Sequence, residues 1–377
     1  MSSHRSYIDA LRGFAAAAVL FTHMPVLFDG LAWRVDYVAR LGAHGVQLFF
    51  MVSAITLALS WEARSESELS PARAFYIRRF FRIAPMFWLA GLLYVGIDNF
   101  MVPWWHNGVV DGRSIFLTAL FAHGWSPGTI NAVVPGGWSI ADEMTFYLVF
   151  PLLMVVLTSL RRAVLFFGLT VLLALAANLV PAMIFDTRSV EVLRFIYFWL
   201  PNQLPVFAMG FVTYRLLPMM RSASKVYGIA LFCFAAAVGL FMVTVPLEFS
   251  ATLSHPVIWR DLVAALGFMT LILGLSAMPI SILVNRATVF LGKVSFSSYL
   301  VQFAVIQAAL MVIGKIEAPG VLGMVLLPCL FVPLLGINTA IAAVTYHVIE
   351  RPFLKLGLRI ADRAAFAGAP AIGRVPA

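Results

Sequence analysis

Apolar stretches of about 20 residues recur along the 377-residue chain and constrain its fold more than any other feature. About 20 apolar residues in an α-helix span the hydrocarbon core of a bilayer. Hydrophobic residues make up 62% of the sequence and charged residues 11%, whereas a soluble protein carries about a quarter charged residues. A membrane β-barrel would show short alternating segments, and the sequence has none. These patterns predict an all-α, polytopic membrane helix bundle.

The apolar stretches predict ten transmembrane helices. Their approximate bounds are residues 7–28, 44–61, 77–97, 136–158, 163–184, 194–216, 226–246, 259–279, 288–313 and 321–347. A shorter apolar segment, 114–123, is predicted to be re-entrant or interfacial. Residues 1–360 then form one membrane-embedded domain, and the segment 361–377, rich in small residues, is predicted to be a disordered tail. Because no small-residue cleavage pattern follows the first apolar run, we expect it to be a retained span and not a signal peptide.

Lysine and arginine residues are distributed unequally between the two ends of the predicted helices. With ten spans, 18 of the 26 lie on the side that holds both termini and 7 on the other side, while Arg12 lies within the first span. Cytoplasmic loops of membrane proteins carry such an excess of positive charge, so both termini are predicted to be cytoplasmic. Since topology accounts for the net charge of +9, no nucleic-acid partner is expected.

The first predicted span contains an arginine and a histidine, and ionisable residues within a span are costly. Arg12 and His23 are 11 residues apart, which places them on one helix face with roughly 16 Å between them along the axis. Asp9 lies three residues before Arg12 and is predicted to pair with it. A snorkelling arginine and a neutral histidine bonded between helices are the structural alternatives to a functional role.

A second group of polar residues lies in the segment PGGWSIADEMTFYLVFP, Pro135 to Pro151. Ser139, Glu143 and Tyr147 are spaced four residues apart and so share one stripe of the predicted helix. Glu143 requires a partner at this depth, and His23 and Arg12 are the candidates. Asp142 points about 100° away from the stripe. Polar contacts that merely hold helices together are the alternative reading.

A third group is the arginine cluster of FYIRRFFRIAP, at the start of the third predicted span. Arg79 and Arg82 form an R-x-x-R pair on one helix face beside Arg78. A positive-inside anchor explains such a cluster, and so does an anion site, because guanidinium groups grip phosphates through two hydrogen bonds. The pattern alone leaves both open.

Together these segments resemble the acyltransferase 3 family of integral membrane O-acyltransferases. The resemblance covers approximately residues 6–355 and rests on six motifs in order: YIDALRGFAAAAVLFTH, GVQLFFMVSA, FYIRRFFRIAP, GGWSIADEMTFYLVFP, FLGKVSFSSYLVQ and YHVIERPF. It implies transfer of an acyl group, usually acetyl, from cytoplasmic acyl-CoA to a hydroxyl of a surface glycan, a lipid-linked oligosaccharide or a small molecule. Acyl-CoA is then a cosubstrate, and neither a bound cofactor nor a metal is expected.

The resemblance also implies roles for individual residues. His23 and Glu143 are expected to be catalytic. Donor binding is expected from three arginines: Arg12, Arg79 and Arg82. Supporting positions in or beside the same motifs are Asp9, Ser53, Trp138, Ser139, Tyr147 and Tyr299. Two positions depart from the family pattern, since Ala54 stands where a glycine is usual and Gln302 stands where a histidine is common, and glutamine cannot relay a proton.

The mechanism that follows brings acyl-CoA in from the cytoplasm, with its phosphates on Arg79 and Arg82 and its pantetheine arm directed toward His23. His23 acts as general base on the acceptor hydroxyl or as a covalent acyl relay, and both routes stay open. Glu143 is predicted to orient the imidazole. The alanines at positions 15–18 leave room for a neighbouring helix or for the pantetheine arm.

Two other functions fit the same composition. A transporter or flippase for a glycan or lipid would also carry buried charges on ten spans, although it would more often show internal repeats and broken helices, which the sequence lacks. An inactive scaffold or sensor is the third reading, and the retained arginine, histidine and glutamate residues argue against it. The expected location is a bacterial inner membrane; the sequence does not indicate the oligomeric state.

Overall fold

The computed structural model describes residues 6–100, 103–105, 110–184, 190–220, 222–245 and 258–365. Within these ranges, ten helical segments are long and apolar enough to cross a membrane by length and composition. They correspond one to one with the ten spans predicted from the sequence, so the prediction of an all-α membrane bundle is confirmed.

Fifteen α-helices are described. They are α1 Ser6–His23, α2 Trp33–Arg40, α3 Gly45–Ser65, α4 Pro71–Phe100, α5 Gly112–Ala119, α6 Trp138–Val156, α7 Leu160–Ile184, α8 Val190–Phe198, α9 Leu200–Met220, α10 Lys225–Thr244, α11 Ile258–Ala277, α12 Arg286–Lys293, α13 Ser295–Ile313, α14 Val321–Thr345 and α15 Arg351–Ala365. Short 3₁₀ turns cover Met24–Leu27, Leu41–His44 and His123–Trp125, and a π turn covers Tyr346–Glu350. Two short parallel strands, β1 Phe28–Asp29 and β2 Ile316–Glu317, pair beyond the end of α1.

The region predicted as one helix at 288–313 is two helices, α12 and α13, which meet at Val294. Asn285 caps α12, because its side chain accepts hydrogen bonds from the backbone N–H groups of Ala287 and Thr288 at 3.0 and 3.1 Å. The Thr288 hydroxyl accepts a bond from the Asn285 N–H in return. This capping box starts a separate short helix before the spanning one.

The chain stays helical past the predicted domain boundary at residue 360, because α15 packs on α4. A Cβ at Gly357 would lie 2.4 Å from the Cβ of Phe81, and Ala361 and Ala365 are fully buried beside Ala74. The small residues that suggest disorder thus provide a close helix contact up to Ala365. Residues 366–377 of the predicted tail lie outside the described residues.

The segment predicted as re-entrant or interfacial contains α5, which has eight residues and a length of about 12 Å. It is too short to cross a bilayer. Its depth relative to the membrane stays a prediction.

Helix α1 packs closely against α3 and the turn before it through small residues. A Cβ at Gly45 would lie 2.5 Å from the carbonyl oxygen of Ala15, and one at Gly42 would lie 2.2 Å from that of Ala18. The space left by these alanines is therefore filled by neighbouring backbone and not by an open channel. On another side, a Cβ at Gly13 would lie 2.7 Å from the Thr288 carbonyl oxygen of α12.

Aromatic side chains form the core that holds α6 in place. Phe207 of α9 stacks between Phe50 and Phe146, with ring centroids 4.3 and 4.2 Å away. Trp138, the first residue of α6, stacks on Phe198 at 4.5 Å. Burial of these large rings fixes α6 between α3 and α9.

Candidate active site

A cavity lies between α1, α3, α4, α6 and α13. Its polar lining consists of Arg12, Arg82, Ser139, Glu143, Ser295 and Tyr299. Counted to its open mouth, the empty space within it is about 520 Å³. The remaining wall is largely apolar, so the two guanidinium groups and one carboxylate are its dominant charges.

Glu143 is held on the cavity wall by two hydroxyl groups. Ser53 Oγ donates a hydrogen bond of 2.6 Å to Glu143 Oε1, and the hydroxyl of Tyr147, one turn along α6, donates to the same oxygen. Ser53 and Tyr147 are themselves buried. Three predicted residues from two helices thus form one hydrogen-bonded group.

Ser139 lies one turn before Glu143 and bonds to α13. Its hydroxyl is 2.9 Å from the Tyr299 hydroxyl, and the Tyr299 hydroxyl donates a 2.8 Å bond to the Gly136 carbonyl oxygen. Gly136 has φ +73°, and a Cβ there would lie 2.9 Å from the Tyr299 oxygen. Glycine is required at this turn for its conformation and for the close approach of the phenol. The contact fixes the end of the cavity opposite the arginines.

The arginines of the predicted R-x-x-R pair lie beside Arg12. Arg12 is within electrostatic range of Arg82 and Glu143, and Arg79 is within range of all three. The Arg79 guanidinium lies 5.9 Å from the centroid of the Tyr147 ring, and its Nε is buried without a hydrogen-bond partner in the described part of the chain. Arg12, Arg79 and Arg82 therefore act on one another electrostatically, and the charge of Glu143 acts on Arg12 and Arg79.

Two further charged residues define the edges of this cluster. Arg78 is directed away from it and forms a two-point ion pair with Glu68, at 2.6 and 3.1 Å. The charge of Asp9 acts on Arg12, Lys293 and Arg82, but no ion pair of Asp9 is found among the described residues, so its pairing with Arg12 stays a prediction. Arg78 therefore serves as an anchor, while Arg12, Arg79 and Arg82 face the cavity region.

His23 lies outside the cavity lining, at the far end of α1. Its ring is half-buried, with its centroid 4.4 Å from that of Phe303 and 5.7 Å from that of Trp104. Phe303 is one helical turn beyond Tyr299 of the cavity wall. The imidazole is thus separated from the end of the cavity by one aromatic ring.

The predicted pairing of Glu143 with His23 is wrong in this structure. The described hydrogen bonds of Glu143 are with Ser53 and Tyr147, and its charge acts on Arg12. Arg12 and His23 are roughly 16 Å apart along α1, so a carboxylate beside Arg12 does not reach the imidazole. Of the two candidate partners, Arg12 is the one on which the charge of Glu143 acts.

The first departure from the family pattern is compensated on the neighbouring helix. Ala54 of α3 faces Gly210 of α9, where a Cβ would lie 2.8 Å from the Ala54 Cβ and 3.0 Å from the Met51 carbonyl oxygen. The close helix contact is kept, with its glycine on the other helix. At the second departure, Gln302 is 1% exposed and both its amide atoms lack a hydrogen-bond partner among the described residues.

Two predicted residues lie apart from the cavity. Trp138 packs in the aromatic core and positions the start of α6. Asp142, predicted to point away from Glu143, is buried near the loop before α6, where a Cβ at Gly124 would lie 3.8 Å from its Oδ1. Its position agrees with the predicted divergence of the two side chains.

Three residues close to the cavity are not predicted from the sequence. Ser295 lines it, and Ser297, two residues along α13, donates a 3.0 Å hydrogen bond to Glu350 Oε2. Glu350 is buried and within electrostatic range of Arg82 and Arg12. All three belong to motifs that carry the resemblance. The spacing of residues along one helix cannot predict the contact between Ser297 and Glu350, because that contact depends on how α13 packs against the π turn.

The family model described as an acyltransferase domain, that of the acyltransferase 3 family, matches residues 5–347. The acyltransferase MdmB of Streptomyces mycarofaciens is 29% identical over 155 residues, which are 38% of this chain and 38% of the relative. The exopolysaccharide production protein ExoZ of Rhizobium meliloti (strain 1021) is 30% identical over 183 residues, 45% of this chain and 55% of the relative.

Nodulation protein 10 of Rhizobium leguminosarum bv. viciae is 29% identical over 181 residues, 43% of this chain and 47% of the relative. The chain therefore spans about half, or less, of the length of these curated relatives. No solved structure matches the chain. Because the family model matches nearly its whole length, and the arginines, Glu143 and Tyr299 of the family motifs meet around one cavity, the chain belongs to the acyltransferase 3 family.

Proposed function

We propose that this protein is a membrane O-acyltransferase that moves an acyl group, expected to be acetyl, from acyl-CoA to a hydroxyl of a carbohydrate or lipid-linked glycan. The observation that carries the proposal is the cavity in which Arg12, Arg82 and Glu143 meet at one end of α1, while His23 stands at the other end. The proposed location is a bacterial inner membrane, with the arginine-rich end of the bundle in the cytoplasm.

The donor's phosphates bind the arginine cluster in this proposal. Arginine offers a fork of donors that matches phosphate oxygens, and an apolar wall strengthens such contacts. The unpartnered Nε of Arg79 and the cavity-facing groups of Arg12 and Arg82 supply those donors. Glu143 balances part of the positive charge while the site is empty. Its proposed role is therefore to order the arginines and not to orient His23.

Acyl transfer is proposed to use His23, which lies behind the Phe303 ring at the far end of α1. As general base, an imidazole nitrogen takes the proton of the acceptor hydroxyl while that oxygen bonds to the thioester carbon. The C–S bond then breaks, and the thiolate of CoA takes the proton back from the imidazolium. In the relay route, the imidazole nitrogen itself bonds to the acyl carbon, CoA leaves as the thiol, and the acceptor hydroxyl displaces the imidazole.

The surroundings of His23 suit a carbohydrate acceptor. Trp104 stacks on Phe303 with centroids 5.3 Å apart, and both rings contact His23. Aromatic rings bind the apolar faces of sugars, and the indole N–H of Trp104 is buried without a partner in the described part of the chain. The printed name of the relative ExoZ, an exopolysaccharide production protein, supports the same acceptor class.

Replacing His23 with alanine is expected to reduce acyl transfer to background, because both routes require the imidazole. The measurement is transfer of label from radiolabelled acetyl-CoA to the surface glycans of membranes that contain the protein, with mass spectrometry of those glycans for an ester-labile increment. Thr22→Ala, a substitution on the same turn of α1, is the control and is expected to retain transfer. Near-normal transfer by a correctly inserted His23→Ala variant would contradict the proposal. Flux of a glycan without any thioester consumption would favour the transporter.

A further inference from the structure

Helices α14 and α15 form one continuous helical segment that is too long for a single membrane span. From Val321 to Ala365 it has 45 residues, a length of about 67 Å. The hydrocarbon core of a bilayer is about 30 Å thick, and the 25 residues of α14 are enough to cross it. Helix α15 therefore continues past the hydrocarbon core at one end of the bundle.

Four basic residues follow one another at intervals of four along α15. They are Arg351, Lys355, Arg359 and Arg363, and all four are exposed. Each interval turns the helix by about 40° and advances it by about 6 Å, so the four charges form a row about 18 Å long. Asp362 is the one acidic residue of this helix, so the basic row keeps most of its positive charge.

The basic row has no partner within the protein, unlike other arginines at the predicted cytoplasmic end. Arg78 pairs with Glu68 at 2.6 Å, and Arg215 donates to the Leu157 carbonyl oxygen at 2.7 Å and pairs with Glu62 at 3.2 Å. In the described part of the chain, no residue of the basic row makes an ion pair or a side-chain hydrogen bond. The positive-inside rule explains an excess of cations at this end, but it does not explain why four of them stand unpaired in one row.

A second side of α15 is fixed against α4, and the basic row is turned away from it. Gly357 meets Phe81, and Ala361 and Ala365 are fully buried. The Leu69 N–H also donates a 3.0 Å hydrogen bond to the Ala365 carbonyl oxygen. These contacts set the rotation of α15 about its axis, so the basic row faces outward from the bundle.

A third side of α15 exposes apolar side chains between the basic row and the contact with α4. Phe353 and Leu356 are 40% and 42% exposed, and they lie about 200° and 140° around the helix from Arg351. A helix that presents a basic side next to an apolar side binds at the boundary between lipid headgroups and acyl chains. A free phosphate or a soluble acidic protein would satisfy the basic row but would leave this apolar side in water.

We propose that the basic row binds the headgroups of anionic phospholipids in the adjoining leaflet, while Phe353 and Leu356 contact the acyl chains. The oxygens of a lipid phosphate accept the paired hydrogen bonds that arginine donates. Each lysine or arginine near an anionic membrane surface strengthens binding about fivefold. The proposal is independent of the proposed acyl donor, because no residue of the cavity takes part in it. The bound lipids would hold α15, and with it the start of α4, at the membrane surface.

Photochemical labelling in a bilayer tests this contact directly. Full-length protein is reconstituted into phosphatidylcholine vesicles that contain a trace of one photoactivatable lipid, either phosphatidylglycerol or phosphatidylcholine, with the reactive group in its headgroup. After irradiation, mass spectrometry of peptides measures how much of each lipid is attached to α15. We expect about tenfold more phosphatidylglycerol than phosphatidylcholine on α15 of the wild-type protein. Equal attachment of the two lipids would overturn the proposal.

Removal of charge from the basic row should abolish this preference. Lys355→Gln, Arg359→Gln and Arg363→Gln together are expected to lower the ratio of the two lipids on α15 to about twofold or less, because only Arg351 remains. These side chains are exposed, so the variant keeps the buried contacts of α15 with α4. A ratio that stays at the wild-type value would contradict the role of the row.

The matched control removes the same charge from the same predicted end of the bundle. Arg161→Gln, Lys225→Gln and Arg286→Gln replace three exposed cations at the starts of α7, α10 and α12. This variant is expected to keep the wild-type ratio on α15. If it lowers the ratio as much as the variant of the basic row, the preference reflects the overall charge of the protein and the proposal fails.

Two further measurements separate a lipid from other anions. Leu356→Gln is expected to lower the attachment of phosphatidylglycerol to α15 severalfold, because it removes a contact with the acyl chains. An excess of soluble glycerol phosphate is expected to leave the attachment unchanged. Unchanged attachment in Leu356→Gln, or loss of attachment with glycerol phosphate, would show that α15 binds free anions and would overturn the proposal.

Discussion

Glu143 illustrates how a residue found from sequence gains a different role from its contacts. The four-residue spacing correctly predicts that Ser139, Glu143 and Tyr147 share one face, because helical periodicity is a local property. Ser53, which donates a hydrogen bond to Glu143, lies on α3 and is placed beside Glu143 by helix packing. This contact argues against the predicted role of Glu143 in orienting His23. Ser53 and Tyr147 both donate to Glu143, and its charge acts on Arg12, which fits a role in charge balance beside the arginines.

His123, in the turn before α6, is buried in neutral surroundings. Its ring stacks on Phe87 at 5.7 Å, and its Nε2 lies 3.0 Å from the Gly137 carbonyl oxygen. Burial lowers the pKa of His123 from 6.5 to about 4. The folded protein therefore keeps this imidazole neutral where the unfolded chain already binds a proton.

We expect the stability of the fold to decline as the pH falls from about 6.5 to about 4. At pH 5 the contribution of His123 is about 2 kcal/mol, since the unfolded state alone is protonated there. His123→Gln removes the titration and should give a shallower decline of the melting temperature between pH 7 and pH 5, followed by tryptophan fluorescence in detergent. Because the slope is compared and not the absolute melting temperature, a less stable variant still answers the question. Identical slopes would contradict the assignment.

At the scale of helices, α3 and α9 show that a motif can keep its geometry while its sequence changes. Ala54 replaces the usual glycine, yet the helices still approach closely because Gly210 faces it. Steric fit depends on the sum of both surfaces, so a glycine on either helix permits the contact. Sequence comparison of α3 alone suggests a loosened contact that the structure does not have.

We expect Gly210→Ala to destabilise the bundle by about 1–3 kcal/mol, because its Cβ would overlap Ala54 and the backbone of Met51. Ala54→Gly in the same protein should restore part of the loss, since it removes one of the overlapping groups. Gly239→Ala is the matched control, because nothing lies within 4 Å of that position on α10. Thermal unfolding in detergent compares these three variants with the wild-type protein. Equal melting temperatures for Gly210→Ala and Gly239→Ala would show that the contact is not as close as described.

The ten spans are predictable from sequence because each helix needs an apolar stretch long enough to cross the hydrocarbon core of the bilayer. The division of the ninth segment at Val294, the π turn before Glu350 and the packing of α15 on Phe81 are not predictable in this way. Each depends on a cap or on a contact with another helix. In the site, too, helical spacing identifies Arg12 and His23 as residues on one face of α1. It does not show that Glu143 acts on Arg12 and not on His23, because that depends on how the helices pack.

Across the bundle, the arginine cluster and His23 are separated along the bundle axis. The arginine cluster stands near the end where α1 begins, and the aromatic group around His23 stands where α1 ends. This separation agrees with the proposed function, in which the donor binds at the arginine cluster and the acceptor at His23. Helix α15 adds Arg351, Lys355, Arg359 and Arg363, and it packs on α4, which carries Arg79 and Arg82.

This separation predicts the orientation of the protein in the membrane. Because cytoplasmic ends carry the excess of lysine and arginine, α15 should face the cytoplasm and α5 the opposite side. In a background with Cys233→Ser and Cys329→Ser, single cysteines replace the exposed Arg359 of α15 and Arg113 of α5. A membrane-impermeant maleimide should label Arg113→Cys in intact spheroplasts and Arg359→Cys only after permeabilisation, which also serves as the control for reactivity. The reverse pattern would place the arginine cluster on the side without acyl-CoA, and the donor site would then have to be sought at the end of the bundle that holds His23.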